Sequence, residues 1–343
     1  MMIIFFFLLI ITLGLINYLF LKNRILIDRS INYLDSHKKL VNVINNKVPL
    51  SGGLFFLIAL SFLTLFSDPI LFFLFFLIYL VGFLSDSHFI TSAKVRIFFQ
   101  IFIILALVLY SGISIRDIRI PNFDYLLNYQ SISIIFTVFC ILILINGSNF
   151  IDGVNTLLCG YILSVLLFLI YVSYKNSLIL DQIFIKYFIL FLLVFFIFNF
   201  LNKSFLGDSG AYLISAFLGF NLLLFFSRNN LISPYFIAVL LWYPAFENLF
   251  SILKRLFFKR KSYLPDNTHL HHKIFLFLSN KINLTKNKLS TITGMLINFY
   301  NFFIFLLASQ NIYSTKFQVM IILFNIFVYL FIYYLLFKNV KKN

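Results

Sequence analysis

The residues of this sequence that could do chemistry fall in five short groups. Asn146-Gly147-Ser148-Asn149-Phe150-Ile151-Asp152-Gly153-Val154-Asn155 sets amide and carboxylate oxygens among small and apolar neighbours. Such oxygen-rich side chains suit a hard divalent cation or a sugar, although an Asn/Gly-rich turn has a similar composition. Phe205-Leu206-Gly207-Asp208-Ser209-Gly210 places a carboxylate at the head of an apolar run. A helix N-terminus beside a metal-binding carboxylate would make a diphosphate seat; the plainer reading is a helix cap. Ser85-Asp86 ends one apolar run, and Lys94, Arg96 and Gln100 begin the next. Alone, that pattern reads as a helix-end anchor with snorkelling cations. His269, His271 and His272 follow Pro265-Asp266 and the basic residues Lys254, Arg255, Lys259, Arg260 and Lys261. Without cysteines or a His-x3-His spacing nearby, this run suits phosphate better than zinc. Last, Pro49-Leu50-Ser51-Gly52-Gly53 opens an apolar run with paired glycines, which permit close approach of backbone or ligand.

The elements that must position these groups are membrane helices. The 343 residues are 62% hydrophobic and only 11% charged, with 50 Phe and a mean hydropathy of +1.01. A soluble domain is about a quarter charged, and no soluble core of this length could hide so much apolar surface. Runs long enough to span a bilayer predict an all-α, polytopic transmembrane bundle of about eleven spans. They lie near 2–22, 50–67, 69–86, 96–112, 131–147, 157–174, 184–202, 210–227, 233–251, 290–308 and 317–337. Met2–Leu21 has no basic leader and no small-residue cleavage site, so it reads as the first span rather than a signal peptide. Ser67-Asp68-Pro69 is a tight turn between the second and third.

Alternating the spans puts 22–49, 86–96, 146–158, 203–209, 251–289 and the tail on one face. That face holds 21 of the 27 Lys and Arg residues. The positive-inside rule makes it cytoplasmic, with the N-terminus outside and the C-terminus inside. The same distribution explains the net charge of +16 without nucleic acid. All five groups fall on this face. The chain reads as a single integral membrane domain, and segment 252–289 has room for a short amphipathic helix on the membrane surface. Cys140 and Cys159 lie in or beside apolar stretches and form no disulfide or metal pattern.

The groups stand in the order seen in a known family. From about Pro49 to His272 the chain resembles the polyprenyl-phosphate N-acetylhexosamine-1-phosphate transferases. Pro-x-x-Gly-Gly, Asn-Phe-Ile-Asp-Gly, Phe-Leu-Gly-Asp-Ser-Gly and His-Leu-His-His carry the resemblance. The Pro-Asp-x-x-His-x-His-His form looks like the common-antigen and O-antigen branch rather than the peptidoglycan branch. Two positions depart from the pattern: Ser85 stands where the family has the first acid of an Asp-Asp pair, and Asn155 where it has Asp.

The resemblance implies that undecaprenyl phosphate attacks the β-phosphorus of a UDP-N-acetylhexosamine, releasing UMP, at the cytoplasmic face of a bacterial inner membrane. It implies Mg²⁺, with Mn²⁺ as a substitute, held by Asp208 with Asn149 or Asp152. Asp86, Asp152 and Asp208 would be the catalytic acids, Asp86 orienting the lipid phosphate or acting as base. Gly52, Gly53, Lys94, Asn146, Asn149, Asn155, Phe205, Arg255, His269, His271 and His272 would line the substrates, Phe205 stacking on uracil and the histidines holding phosphate or sugar oxygens. Lys38, Lys39, Lys94 and Arg96 would raise the local anion concentration. Membrane lipid is the expected surround, and a homodimer fits the family. Ser85 keeps a second reading in view, a family member with impaired catalysis and a lipid-binding or partner role. A secondary transporter is a third, disfavoured because the polar groups sit at span ends and not at the midplane.

Overall fold

A computed structural model describes residues 2–28, 47–257 and 269–340. In chain order the elements are α1 (Met2–Asn23), β1 (Ile27–Asp28), β2 (Val48–Pro49), α2 (Gly52–Thr64), α3 (Pro69–Asp86), α4 (Ala93–Ser111), α5 (Pro121–Leu127), α6 (Gln130–Ile151), α7 (Leu157–Asn176), α8 (Gln182–Phe200), α9 (Gly207–Arg228), α10 (Pro234–Leu240), α11 (Trp242–Phe257), α12 (Leu270–Lys281), α13 (Lys286–Ala308) and α14 (Thr315–Val340). The fold is a polytopic helical bundle. The two strands form one short antiparallel pair, Ile27 opposite Pro49 and Asp28 opposite Val48. Lys38, Lys39, Lys259, Arg260, Lys261, Pro265 and Asp266 lie outside the described residues, as does the side chain of Arg255.

Each of the eleven expected runs is helical, but not each is a straight span. Among the described residues nine helices are long and apolar enough to cross a membrane, or ten if α10 and α11 form one bent span. The run at 50–67 is the first correction. Its helix α2 has 13 residues, about 20 Å at 1.5 Å per residue, short of a hydrocarbon core about 30 Å thick. Asp68 then accepts from Leu71 N at 2.9 Å and starts α3, with Pro69 at its first position.

The run at 233–251 is the second correction: it bends by 78° between α10 and α11. Pro244 has no N–H to give the carbonyl four residues back, which is that of Leu240. The Tyr161 hydroxyl donates to that carbonyl instead, at 2.9 Å. Helix α5 lies between the fourth and fifth expected spans, with Pro121 at its start. Segment 252–289 does contain a helix, α12.

Helix α9 is the axis of the bundle. Of its apolar stretch 83% is buried, against 22% for α4 and for α14 at the periphery. Helices α2, α3 and α6 pack along it. Glycines set these contacts: a side chain at Gly82 would collide with the backbone of Asp208 and Ser209, and one at Gly53 with Ser209. The closeness of α3 to the start of α9 is what brings distant groups of the sequence together.

Candidate active site

Five helix ends meet at one end of the bundle. They are the C-termini of α3 and α6 and the N-termini of α4, α9 and α12. The centre is Asp208, in the first turn of α9. Its Oδ2 accepts from Arg96 Nη1 at 2.6 Å and from Ser85 Oγ at 2.6 Å, and its Oδ1 accepts from Asn149 Nδ2 at 3.1 Å. Arg96 Nη1 also donates to Ser85 Oγ at 2.7 Å. The ion pair is partly covered, with side-chain exposures of 24% for Arg96 and 15% for Asp208. Ser85 thus gives Asp208 a donor where an acid would bring a second negative charge.

Asp86 caps the start of α9. Its Oδ1 accepts from Asp208 N at 2.7 Å, and its Oδ2 accepts from Ser209 N at 3.0 Å and Ser209 Oγ at 2.6 Å. The α9 N-terminus would attract an anion through its unpaired amides and dipole. A carboxylate from α3 takes that place, so the amides of Asp208 and Ser209 are not a seat for diphosphate. No side chain of α9 caps its own start. Gly207 is required here: its φ is +71°, and a side chain would run into the Asp86 carboxylate.

Helix α6 links this centre to the histidines. Asn149 touches Asp208, while the next residue, Phe150, lays its ring against His269 with centroids 5.3 Å apart. The rings of His269 and His271 stack at 5.5 Å and 7°, and His272 lies 4.1 Å from His271. All three histidines are buried. A side chain at Gly153 would collide with Nε2 of His271 and of His272, so the turn after α6 lies against this cluster. Asp152 closes α6, donating its N–H to Ser148 O at 3.2 Å, and is buried.

Other predicted residues sit nearby in supporting positions. Asn146 donates to Gln100 Oε1 at 3.0 Å and ties α6 to α4. Asn155 is fully buried; its Nδ2 donates to Asn202 Oδ1 at 3.1 Å and its N–H to Ser290 Oγ at 2.9 Å. The amide at this position therefore bonds another amide. Thr156 follows with φ +66°, a costly conformation for a β-branched residue. Its N–H donates to Asn199 Oδ1 at 2.6 Å, which holds the turn. Gly52 and Gly53 face Leu206, Phe195 and Ser209, so the closeness they allow is between helices. Phe205 is buried with Val48, Leu50 and Leu26. Its backbone bonds Pro49 O and Gly52 N, each at 3.0 Å. Lys94 is exposed at the first turn of α4.

Two participants were not assigned these roles from sequence. Arg96 is the ion-pair partner of Asp208. Glu247, fully buried in α11, accepts from Leu270 N at 3.0 Å and faces His269 Nδ1 at 2.9 Å. Only a buried acid about twenty residues before three histidines could have hinted at that contact.

Residues 69–226 match the sequence model described as glycosyl transferase family 4. This segment is similar to that family. It holds Asp86, Arg96, Asn149, Asp152 and Asp208, and it ends before Glu247 and the histidines. The chain is 27% identical over 216 residues to the probable undecaprenyl-phosphate N-acetylglucosaminyl 1-phosphate transferase of Bacillus subtilis, covering 61% of this chain and 59% of that protein. It is 29% identical over 176 residues to the undecaprenyl-phosphate alpha-N-acetylglucosaminyl 1-phosphate transferase of Thermotoga maritima, half of each chain. The chain thus spans between half and three-fifths of the length of these relatives.

Among the described residues no three His, Cys, Asp or Glu side chains form a ready metal cage. Mg²⁺ seldom needs one, because one or two carboxylates plus substrate phosphates and water suffice. A carboxylate offers about four lone-pair sites. Three of those on Asp208 accept protein donors, which leaves a place on Oδ1. An open position of this kind would suit a divalent cation whose other ligands come from water and a phosphate-bearing molecule.

Proposed function

We propose that this chain transfers an N-acetylhexosamine 1-phosphate from a UDP-sugar to polyprenyl phosphate and releases UMP, the initiating step of a lipid-linked cell-surface glycan. The observation that carries the reading is the bridge made by α6: consecutive residues Asn149 and Phe150 touch Asp208 and His269. One contiguous site then holds a carboxylate, a guanidinium and three imidazoles at the end of a membrane bundle. The excess of Lys and Arg on the loops of this end supports a cytoplasmic orientation, where a soluble nucleotide-sugar would meet a membrane-bound phosphate. The names of the two relatives and the family of residues 69–226 support the same chemistry.

In this reaction an oxygen of the lipid phosphate forms a bond to the β-phosphorus, and the bond from that phosphorus to the oxygen bridging to UMP breaks. Both reactants are anions, so positioning and charge neutralisation supply most of the catalysis. A phosphate monoester is largely ionised near pH 7, so the nucleophile needs no strong base. That fits a site in which Asp86 is committed to the α9 amides and Ser85 replaces an acid. Asp208 would hold Mg²⁺ through Oδ1, with Asn149 beside it. When bound, the ion would neutralise diphosphate oxygens and stabilise the leaving UMP. Arg96 orients Asp208 and contributes a fixed positive charge. His269, His271 and His272 hold phosphate or sugar oxygens, and Phe150 fixes the plane of His269.

The test is lipid-linked sugar formation by purified protein in detergent with undecaprenyl phosphate and a panel of UDP-N-acetylhexosamines. Transfer from at least one donor, lost in Asp208→Asn, is expected. No transfer from any donor would overturn the reading.

A further inference from the structure

The carboxylate of Glu247 has no part in the reaction described above, yet it is the most completely buried acid near the site. It is fully inaccessible, and burying a charge is costly unless that charge is well bonded. Its bonds are specific. Oε1 accepts from the backbone N–H of Leu270 at 3.0 Å, and the Tyr243 hydroxyl lies 3.4 Å away. Oε2 lies 2.9 Å from His269 Nδ1, and the Ser251 hydroxyl is 3.3 Å from the same nitrogen. Helix α11 is itself fixed against α6: Asn248 Nδ2 donates to Ile143 O at 3.1 Å, and a side chain at Gly147 would strike the carbonyl of Pro244. Glu247 therefore stands on a rigid base one helix away from Asn149 and Phe150.

A pair of this kind is a poor device for stability alone, because apolar side chains of similar volume often do as well. What it does supply is orientation. The imidazole of His269 is held on its Nδ1 edge by Glu247, on one side by Phe150 and in a parallel stack by His271. A carboxylate cannot donate, so Nδ1 must carry the hydrogen. Nε2, across the ring, is the nitrogen left for a ligand.

We propose that Glu247 is a positioning residue of the transferase. By fixing the Nδ1–H form and the plane of His269, it directs Nε2 at the phosphate oxygens of the donor. The proposal rests on the transferase reading given above and adds a role to a residue outside the family-matched segment.

The glutamine variant makes a sharp test. An amide has one acceptor and one donor end, and the Leu270 N–H requires the acceptor. The NH₂ of Glu247→Gln then faces His269 Nδ1, which must become a lone pair, so the proton moves to Nε2. Nitrogen-15 spectra of histidine-labelled protein in detergent, with the His269 signal assigned by its own substitution, report which nitrogen is protonated. The wild type should show Nδ1–H, and Glu247→Gln should show Nε2–H with bare Nδ1. The variant's kcat/KM should fall roughly ten- to a hundredfold, the scale of one charge-assisted hydrogen bond. Glu247→Asp, which keeps the charge and both acceptors, should recover part of that loss. A bare Nδ1 on wild-type His269 would overturn the proposal whether or not the glutamine variant folds. So would wild-type kcat/KM in a folded Glu247→Gln. Absence of transfer by the wild type with every donor would instead defeat the transferase reading, while the nitrogen spectra would still decide the orientation of His269.

Discussion

Replacing Ser85 with Asp would test the arrangement around Asp208 most severely, because the present structure gives that change a definite sign. The Ser85 hydroxyl donates to Asp208 Oδ2 at 2.6 Å. Ser85→Asp removes that donor and sets a second carboxylate within about 4 Å of the first. At an effective dielectric near 20, two unit charges at that distance interact by about 4 kcal/mol. Arg96 already touches both positions and would offset part of the repulsion. Allowing for that offset and for the lost hydrogen bond, the variant should be less stable than the wild type by ~2–4 kcal/mol when divalent cations are chelated. The paired acids would also make a better divalent site. A cation at ten times its dissociation constant returns about 1.4 kcal/mol. The assay is thermal unfolding in detergent with chelator and then across a Mg²⁺ titration. Ser85→Asp should melt several degrees below the wild type in chelator and recover more of its stability as Mg²⁺ rises. Equal melting in chelator with the same Mg²⁺ response would refute the contact between Ser85 and Asp208.

Further outcomes follow from neighbouring contacts. Arg96→Gln leaves Asp208 with a neutral partner, and its kcat/KM should fall by roughly ten- to a hundredfold, read as the rate of UMP release. Asp86→Asn keeps one acceptor for the α9 amides and loses the charge at the helix N-terminus; unfolding should shift by about 1–2 kcal/mol, unchanged by chelator. Phe150→Ala removes the ring against His269 and should raise KM for the nucleotide-sugar roughly two- to tenfold, with the melting profile near wild type.

Much of the architecture is legible in the chain because one bilayer-length rule governs it. Every apolar run became a helix, and the polar groups at run ends became helix termini. The two runs that do not form straight spans depart for local reasons. Asp68-Pro69 starts α3 directly after a short α2, and Pro244 withholds a donor from Leu240 and leaves its carbonyl to Tyr161. The helix at 121–127 was hidden because seven residues carry too little periodicity to be read.

The composition of the site was also legible, but its wiring was not. The sequence places Ser85, Arg96, Asn149 and Asp208 at the ends of four different helices. It does not say that α3 lies so close to α9 that Asp86 fills the α9 N-terminus, or that Arg96 pairs across 112 residues with Asp208. Those contacts depend on glycines at 82 and 207, whose spacing gives no hint of the partner they admit. Read alone, Ser85 was a missing acid. In the folded chain it is a donor to Asp208, an acid from another helix.

In a sugar 1-phosphate transfer the phosphate travels with the sugar. The most direct measurement uses a UDP-N-acetylhexosamine labelled with ³²P at the β-phosphorus, incubated with the protein and undecaprenyl phosphate, then partitioned between solvent and water. The label should move into the organic phase with the lipid while unlabelled UMP appears in equal amount. Label recovered as UDP, with sugar alone on the lipid, would contradict it.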